Sequence, residues 1–319
     1  MTAFWFAALA VLLAGPVPAL LARARWTWRV PRAALVLWQA VALGAVLATL
    51  GAGLASLTML FTEEPGLPFL ERRGWVQTTL IGLGSAFVTV VTVRFWVVAA
   101  HVAVRTRRRR RRHRELVDLL HRTESHGALD AALLREAGVR VLSGPGRIAY
   151  CLPGVRANRV VLSDGVIEQL SPAEVRAVLA HERAHLRARH DLVLEAFTAL
   201  HAAFPRIVSS RAALDTVRLL VEMLADDAAR RTEGSAPLAR ALVQLASAPG
   251  ERTEGETAVG ADALTRVRRL ADGCGEDDRT PPHRRLSAAL YTAAGLVLAG
   301  PTLTVALPWL RLTWRALGR

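Results

Sequence analysis

The chain has 319 residues, of which 52% are hydrophobic, with a mean hydropathy of +0.28; that is too apolar for an ordinary soluble protein and indicates a membrane protein. Its net charge of +14 raises nucleic acid as a partner, but much of the arginine lies against apolar runs, where it serves topology and anionic lipid, so no nucleic-acid partner is expected. The two cysteines, Cys151 and Cys274, have neither a pairing pattern nor metal-ligand spacing, which excludes a disulfide scaffold and suits a reducing compartment.

A helix needs about 20 residues to cross a bilayer, and four apolar runs are long enough, at about 2–22, 33–61, 75–104 and 286–306. The first could be a signal peptide, since Ala22-Arg23-Ala24 resembles a cleavage site. No basic residue precedes Phe4, however, and the run is nearer a full span than a signal core, so an uncleaved helix is expected.

Orientation follows from the arginines that flank the spans, because the richer side stays in the cytoplasm. Arg23, Arg25, Arg29 and Arg32 follow the first run, whereas Glu63, Glu64 and Glu71 face only Arg72 and Arg73 after the second. Eight arginines lie between Arg105 and Arg114, after the third. The amino terminus is therefore expected outside and the region 105–285 inside; the basic tail 307–319, with Arg311, Arg315 and Arg319, then falls outside against the rule. Arg94, within the third run, is a functional suspect by its position in the span, although it can also snorkel to the nearby interface.

In the central region, 115–138 reads as helix-rich, and "RIAYCL" (147–152) and "RVVLS" (159–163) read as short strands parted by Pro153, Gly154 and Asn158. "SPAE" opens a helix: Ser171 caps, Pro172 suits the first turn and Glu174 completes a capping box. Further helices are expected at about 211–231 and 235–248. Loops are expected at 249–260 and 272–283, around a short helix "ADALTRVRRL".

The helix opened by Ser171 carries His181-Glu182-Arg183-Ala184-His185. Wound at about 100° per residue, His181, Glu182 and His185 share an arc with Val178, Leu179 and Leu186, while Arg176, Arg183 and Arg187 gather elsewhere. A solvated charged face would place Glu182 with the arginines. Histidines at i and i+4 can both reach one zinc ion, and the intervening glutamate can hold the zinc-bound water. Such a hydrolase needs a third ligand. Glu222 in "VEMLADDAARR" can supply it, with Asp226 one turn later accepting a hydrogen bond from a ligand histidine. His190 falls about 140° around the helix from His185, too far to share the metal, and is expected to close the helix end. Asp227 is expected to be a solvated acid, and Cys151 a small buried residue. Either strand could bind extended substrate by edge pairing.

This set, His181-Glu182-x-x-His185 followed by Glu222-x-x-x-Asp226, between three apolar runs and a fourth, resembles the M56 family of membrane metallopeptidases. That family includes antibiotic-sensing transducers that cleave cytoplasmic repressors. More widely the set resembles M48-type zincins, and "VVLSDGVIEQLSPAEVRAVLAHERAHLRARHD" extends the likeness, which covers roughly 75–305 in all. One departure is that the transducers carry a large extracellular sensor after the last span, where about a dozen residues stand here.

The resemblance implies zinc held by His181, His185 and Glu222, Glu182 as catalytic base, and Asp226 orienting a histidine. The fold expected is a mainly α membrane protein: three transmembrane helices within 1–104, an α+β zincin-like cytoplasmic peptidase domain over 105–285, and a fourth helix at 286–306. The function expected is an integral-membrane zinc-dependent endopeptidase of the cell membrane, in contact with lipid and cutting a protein or peptide such as a cytoplasmic repressor, with a role in signalling or regulation. The alternative is a non-catalytic membrane signalling or scaffold protein that keeps the fold.

Overall fold

The computed structural model describes residues 2–61, 75–120, 138–154, 158–205, 210–247, 256–272 and 281–317. The expectations for the loop at 62–74, for the helix-rich stretch beyond Leu120 and for Cys274 lie outside the described residues.

Four segments are helical, long and apolar enough to cross a membrane, Ala3–Arg23, Pro31–Ser56, Thr78–Leu120 and His283–Thr304. The first comprises two helices, α1 (Thr2–Ala14) and α2 (Pro16–Arg23). Pro16 and Pro18 have no amide hydrogens to donate to the ladder there, which accounts for the break at Gly15. Next come α3 (Pro31–Phe61) and α4 (Trp75–Leu120). The third apolar run does not stop at 104 as a separate element, because α4 continues without a break through the arginines. Arginine is a good helix former, so charge ends the apolar stretch without ending the helix. At the far end of the chain, α11 (Pro281–Leu317) packs on α3.

The central region begins with a three-stranded mixed sheet of order β1-β3-β2, in which β1 (Val139–Leu142) runs parallel to β3 (Arg159–Ser163) and β2 (Ala149–Leu152) antiparallel to it. Both of its faces are covered. Val160 and Leu162 of β3 join Val139 and Val141 of β1 in one cluster, and Val161 points the other way to meet Val117 of α4 and Leu152. The period-2 alternation of strand side chains thus sorts β3 between two helical neighbours.

Helices α5 (Asp164–Gln169), α6 (Pro172–Ala188), α7 (His190–Ala203), α8 (Ser210–Glu233), α9 (Ser235–Ala246) and α10 (Glu256–Ala271) follow. Helix α6 starts as its sequence predicts. The Ser171 amide donates to Glu174 Oε2 at 2.8 Å, and the Glu174 amide to Ser171 Oγ at 3.4 Å. Such a cap contributes about 1 kcal/mol. Val175, Val178, Leu179 and Leu186 of α6 pack on the sheet, and α8 packs alongside α6. Helix α8 also packs against the first half of α3, with Val217, Leu220 and Val221 in the same core as Ala34 and Trp38. The Trp38 ring meets Phe197 of α7 edge-on, with centroids 6.4 Å apart.

The residues from Glu256 onward, expected as loop up to 260, are helical. Neither β1 nor α7 has a counterpart among the sequence-based expectations. The four residues of β1 are too few to display a period, and its partner lies about 20 residues away along the chain.

Candidate metal centre

His181 and His185 stand one turn apart on α6, with their Nε2 atoms 3.1 Å from each other and their rings 4.8 Å apart at 68°. Glu222 of α8 reaches both, with Oε2 3.4 Å from His181 Nε2 and Oε1 3.5 Å from His185 Nε2. Among the described residues these three form a group whose ligand atoms all lie within 4.8 Å of one another. A tetrahedral zinc ion with ligand bonds of about 2.0–2.2 Å requires ligand edges of about 3.3–3.5 Å, so the spacing and the nitrogen and oxygen donors both fit zinc. Glu222 is 35% exposed, so its side of the group is open to solvent.

The surrounding groups hold each ligand in place. Asp226 Oδ1 lies 3.0 Å from His181 Nδ1. Nδ1 makes no well-aligned hydrogen bond there, but the close contact and the charge of Asp226 together raise the His181 pKa. Burial alone would lower the His181 pKa, but Asp226 and Glu222 outweigh it and hold it at about 9. Burial pushes His185 down to about 4, leaving a neutral imidazole as a metal ligand requires. For Glu222, His181 and Arg266 outweigh burial and hold the carboxyl well below its usual range.

His190 does not simply close the helix. Helix α6 ends at Ala188, and Arg189 takes a left-handed conformation with φ 52°. The turn starts α7 at His190 and brings its Nδ1 to 3.1 Å from His185 Nδ1. The 140° separation held only for an unbroken helix. His190 is therefore to His185 what Asp226 is to His181, a partner on the far ring nitrogen.

Glu182, between the two histidines, faces β2. The Cys151 thiol lies beside it, and burial pushes both the Glu182 carboxyl and the Cys151 thiol up in pKa. Cys151 is half-buried, so it is the small packing residue expected, but in contact with the glutamate of the motif.

Two arginines of α10 complete the surroundings. Arg266 grips Asp226 through two bonds of 2.7 Å and places Nη1 2.9 Å from Glu222 Oε2. Arg269 makes a matching fork onto Asp227, at 2.7 and 2.8 Å, and donates through Nε to the Trp28 carbonyl. Asp227, expected as a solvated acid, is fully buried. The adjacent aspartates Asp226 and Asp227 thus fasten α10 to α8. Sequence reasoning missed both arginines because the chain has 41 basic residues, all arginine, and nothing marks two of them as buried. Arg94 is a tether as well, donating through Nε to the Ala203 carbonyl at the end of α7.

Residues 107–240 match the model of peptidase family M48. The M48-like segment runs from the arginines of α4 through the sheet and α6 to α9, and includes His181, Glu182, His185, Glu222 and Asp226. It stops short of α10. The family is one of zinc metallopeptidases, which agrees with the donor set found here. No curated protein and no solved structure matches the chain.

Removing Arg266 is expected to cost stability. In Arg266→Met, Asp226 is left buried at 1% exposure without its forked partner, a change worth roughly 3–5 kcal/mol. The expected result is a clear fall in melting temperature of the full-length protein in detergent and weaker zinc retention. Arg266→Lys should recover only part, since an ammonium cannot make the fork. An unchanged melt and zinc content in Arg266→Met would show that this contact carries no load.

Proposed function

We propose that this chain is an integral-membrane zinc-dependent endopeptidase that cuts a protein or peptide substrate. The observation that carries the reading is the convergence of His181 Nε2, His185 Nε2 and Glu222 on one point, with Glu182 on the same helix. A bound zinc ion supplies a water acidified to a pKa of about 7 and polarisation of the scissile carbonyl. The residues of the chain do the rest. His181, His185 and Glu222 hold the ion, and Asp226 and His190 fix the two rings. Glu182 accepts the proton of the attacking water and hands it to the leaving amine.

An extended substrate can pair with β2. Of the two candidate strands, β3 is central and paired on both sides, whereas β2 has a described partner on one side only. The finer placement, with the M56 membrane metallopeptidases, is supported by the order of three apolar stretches, metal centre and fourth apolar helix. The four helices support a multi-pass protein of the cell membrane in contact with lipid, and the arginines at 105–114 support a cytoplasmic metal centre. A protein within its reach there, such as a cytoplasmic repressor, is the proposed substrate.

The test of the activity is a comparison of newly formed protein N-termini in cells carrying the native chain and in cells carrying Glu182→Gln. Termini found only with the native chain identify substrates; identical sets would favour a non-catalytic scaffold. The orientation has its own test. Reporter fusions after Gly66 and after Gly255 should read outside and inside respectively, since each basic residue near the cytoplasmic surface contributes about 1 kcal/mol toward anionic lipid. The reverse pattern would place the metal centre outside the cell and remove cytoplasmic repressors as substrates.

A further inference from the structure

A half-open cavity of about 740 Å³ lies among the apolar helices, with α1 and α3 on one side, α4 on the other and α7 with the start of α8 across one end. Small side chains leave the gap, for Ala3, Ala7, Ala10 and Ala14 line it from successive turns of α1. Helices α3 and α4 meet beside it, where a Cβ on Gly53 would come within 2.8 Å of Val88 Cγ1. At the end nearer the metal centre it is roofed by Phe197 and Leu200 of α7, Phe204 just after that helix and Ala213 of α8. Thr49, Ser56 and Ser210 also line it, but their hydroxyls donate to backbone carbonyls at 2.8, 2.8 and 2.9 Å. The wall therefore presents mostly hydrocarbon.

One cation stands in this lining. Arg94 is exposed, and its Nε donates to the Ala203 carbonyl at 2.9 Å. Among the described residues no carboxylate lies within 4.0 Å of its guanidinium. Its depth is marked by tryptophan. Trp75 and Trp96 are both exposed on α4, at 76% and 58%, and stand 21 positions apart, which is about 31 Å of helix. The hydrocarbon core of a bilayer is about 30 Å thick, and tryptophan collects at its two surfaces. Arg94, half a turn inside Trp96, then sits where the apolar core gives way to head groups.

We infer that the cavity holds one acyl chain of an anionic phospholipid, with the lipid phosphate on the Arg94 guanidinium. The inference rests on the membrane reading above and adds a resident lipid. Its volume is that of a built ligand pocket, about 300–1,000 Å³, and its lining suits a hydrocarbon chain. A membrane-spanning helix of another protein does not fit, because such a helix must leave at both ends and α7 and α8 close one of them. The charge selects the head group. An anionic lipid gives Arg94 the counter-charge that the described residues do not, whereas a zwitterionic lipid brings its own cation alongside. Helix α7, which forms much of the roof, begins at His190 beside His185, so the lipid and the metal centre share a supporting helix.

The experiment counts bound lipid. Full-length protein stripped of lipid in detergent is titrated with phosphatidylglycerol and with phosphatidylcholine of the same acyl chains, and retained lipid is read by native mass spectrometry. The first phosphatidylglycerol should bind about fivefold more tightly than the first phosphatidylcholine, as for one basic residue facing an anionic head group. Arg94→Gln should bring the two within about twofold, and Arg94→Lys should keep the preference. Ala7→Phe with Val91→Phe fills the cavity from α1 and α4 and should weaken both lipids on the order of tenfold, the effect of about two buried methylene groups. Zinc content reports whether each variant is folded. Arg94→Gln also removes the bond to Ala203, so if it does not fold, the filled cavity, which leaves that bond alone, decides the matter.

Equal affinity for the two lipids in the native chain would overturn the inference. A preference that survives Arg94→Gln would do so too, since it would belong to the arginines at 105–114, as would lipid retention that the filled cavity leaves unchanged. The membrane reading is scored by itself, from recovery of the native chain in membranes washed with alkaline carbonate. Release of the chain by that wash would refute the membrane reading; a chain that stays with the membranes and fails the lipid titration refutes the cavity assignment alone.

Discussion

Glu182→Gln protein, purified in full length, is expected to hold as much zinc as the native chain and to lose hydrolysis by on the order of 10²–10⁴-fold. The reason lies in geometry and charge. Glu182 is not among the three groups that converge on the ion site, so changing it leaves the ligands intact. Glutamine has nearly the same shape and can still accept a hydrogen bond from a water molecule, but it cannot take up a proton. The measurement is zinc analysis together with cleavage of a protein substrate such as casein. A variant that binds zinc and cleaves at the native rate would show that another group is the base. A variant that loses zinc would show that Glu182 belongs to the ligand set.

The second large effect is on the metal itself. The native protein is expected to retain about one zinc per chain after dialysis, and the double variant His181→Ala and His185→Ala to retain essentially none, because Glu222 alone cannot hold the ion. Equal zinc in the two would refute the site. Acid should act in the same direction. Imidazoles bind metal only when neutral, and in the metal-free protein His181 is held at about 9 whereas His185 sits at about 4. Between these values His181 is protonated and must lose a proton for zinc to bind. Zinc affinity should therefore fall about tenfold for each unit of pH below about 9, with about one proton released per zinc bound at pH 7.5. Titration in buffers of different ionisation enthalpy measures the proton directly. No proton release would mean that the Asp226 and Glu222 charges do not hold His181 protonated.

Much of this centre was legible in the sequence because its parts are local. Histidines four residues apart, a glutamate and an aspartate four apart, and a capping box ten residues before the first histidine are patterns within single helices, and α6 and α8 present them as helical geometry requires. What escaped depends on meetings between distant segments. Arg266 reaches Asp226 across 40 residues, and Cys151 touches Glu182 across 31. His190 escaped for another reason: a single left-handed residue, Arg189, ended α6 where a continuous helix had been assumed. An arginine is an unusual choice for that conformation, and no glycine or asparagine announced it. The apolar helices were legible from composition alone, but the fusion of the third with the arginine-rich stretch was not, since hydropathy locates an apolar boundary and not the end of a helix.

That fusion has a mechanical consequence. Helix α4 is 46 residues long, or about 70 Å. Its arginine-rich end is fixed to the region of the candidate metal centre by Arg110 to Asp191, by Val117 under the sheet, and by Asp118, which binds Arg140 of β1 and Arg159 of β3 at 3.1 and 3.0 Å. With its apolar half seated in a bilayer as proposed, the helix works as a ruler. One residue added between Val104 and Arg105 would lift the far end by about 1.5 Å and turn it by about 100°, so height and bearing cannot be altered separately. Thr106 and Arg110 already line a cavity beside His185, which sets the metal centre within the first turns above the apolar stretch. Bonds open to attack are then chosen by altitude, and those lying close to the membrane surface come within reach.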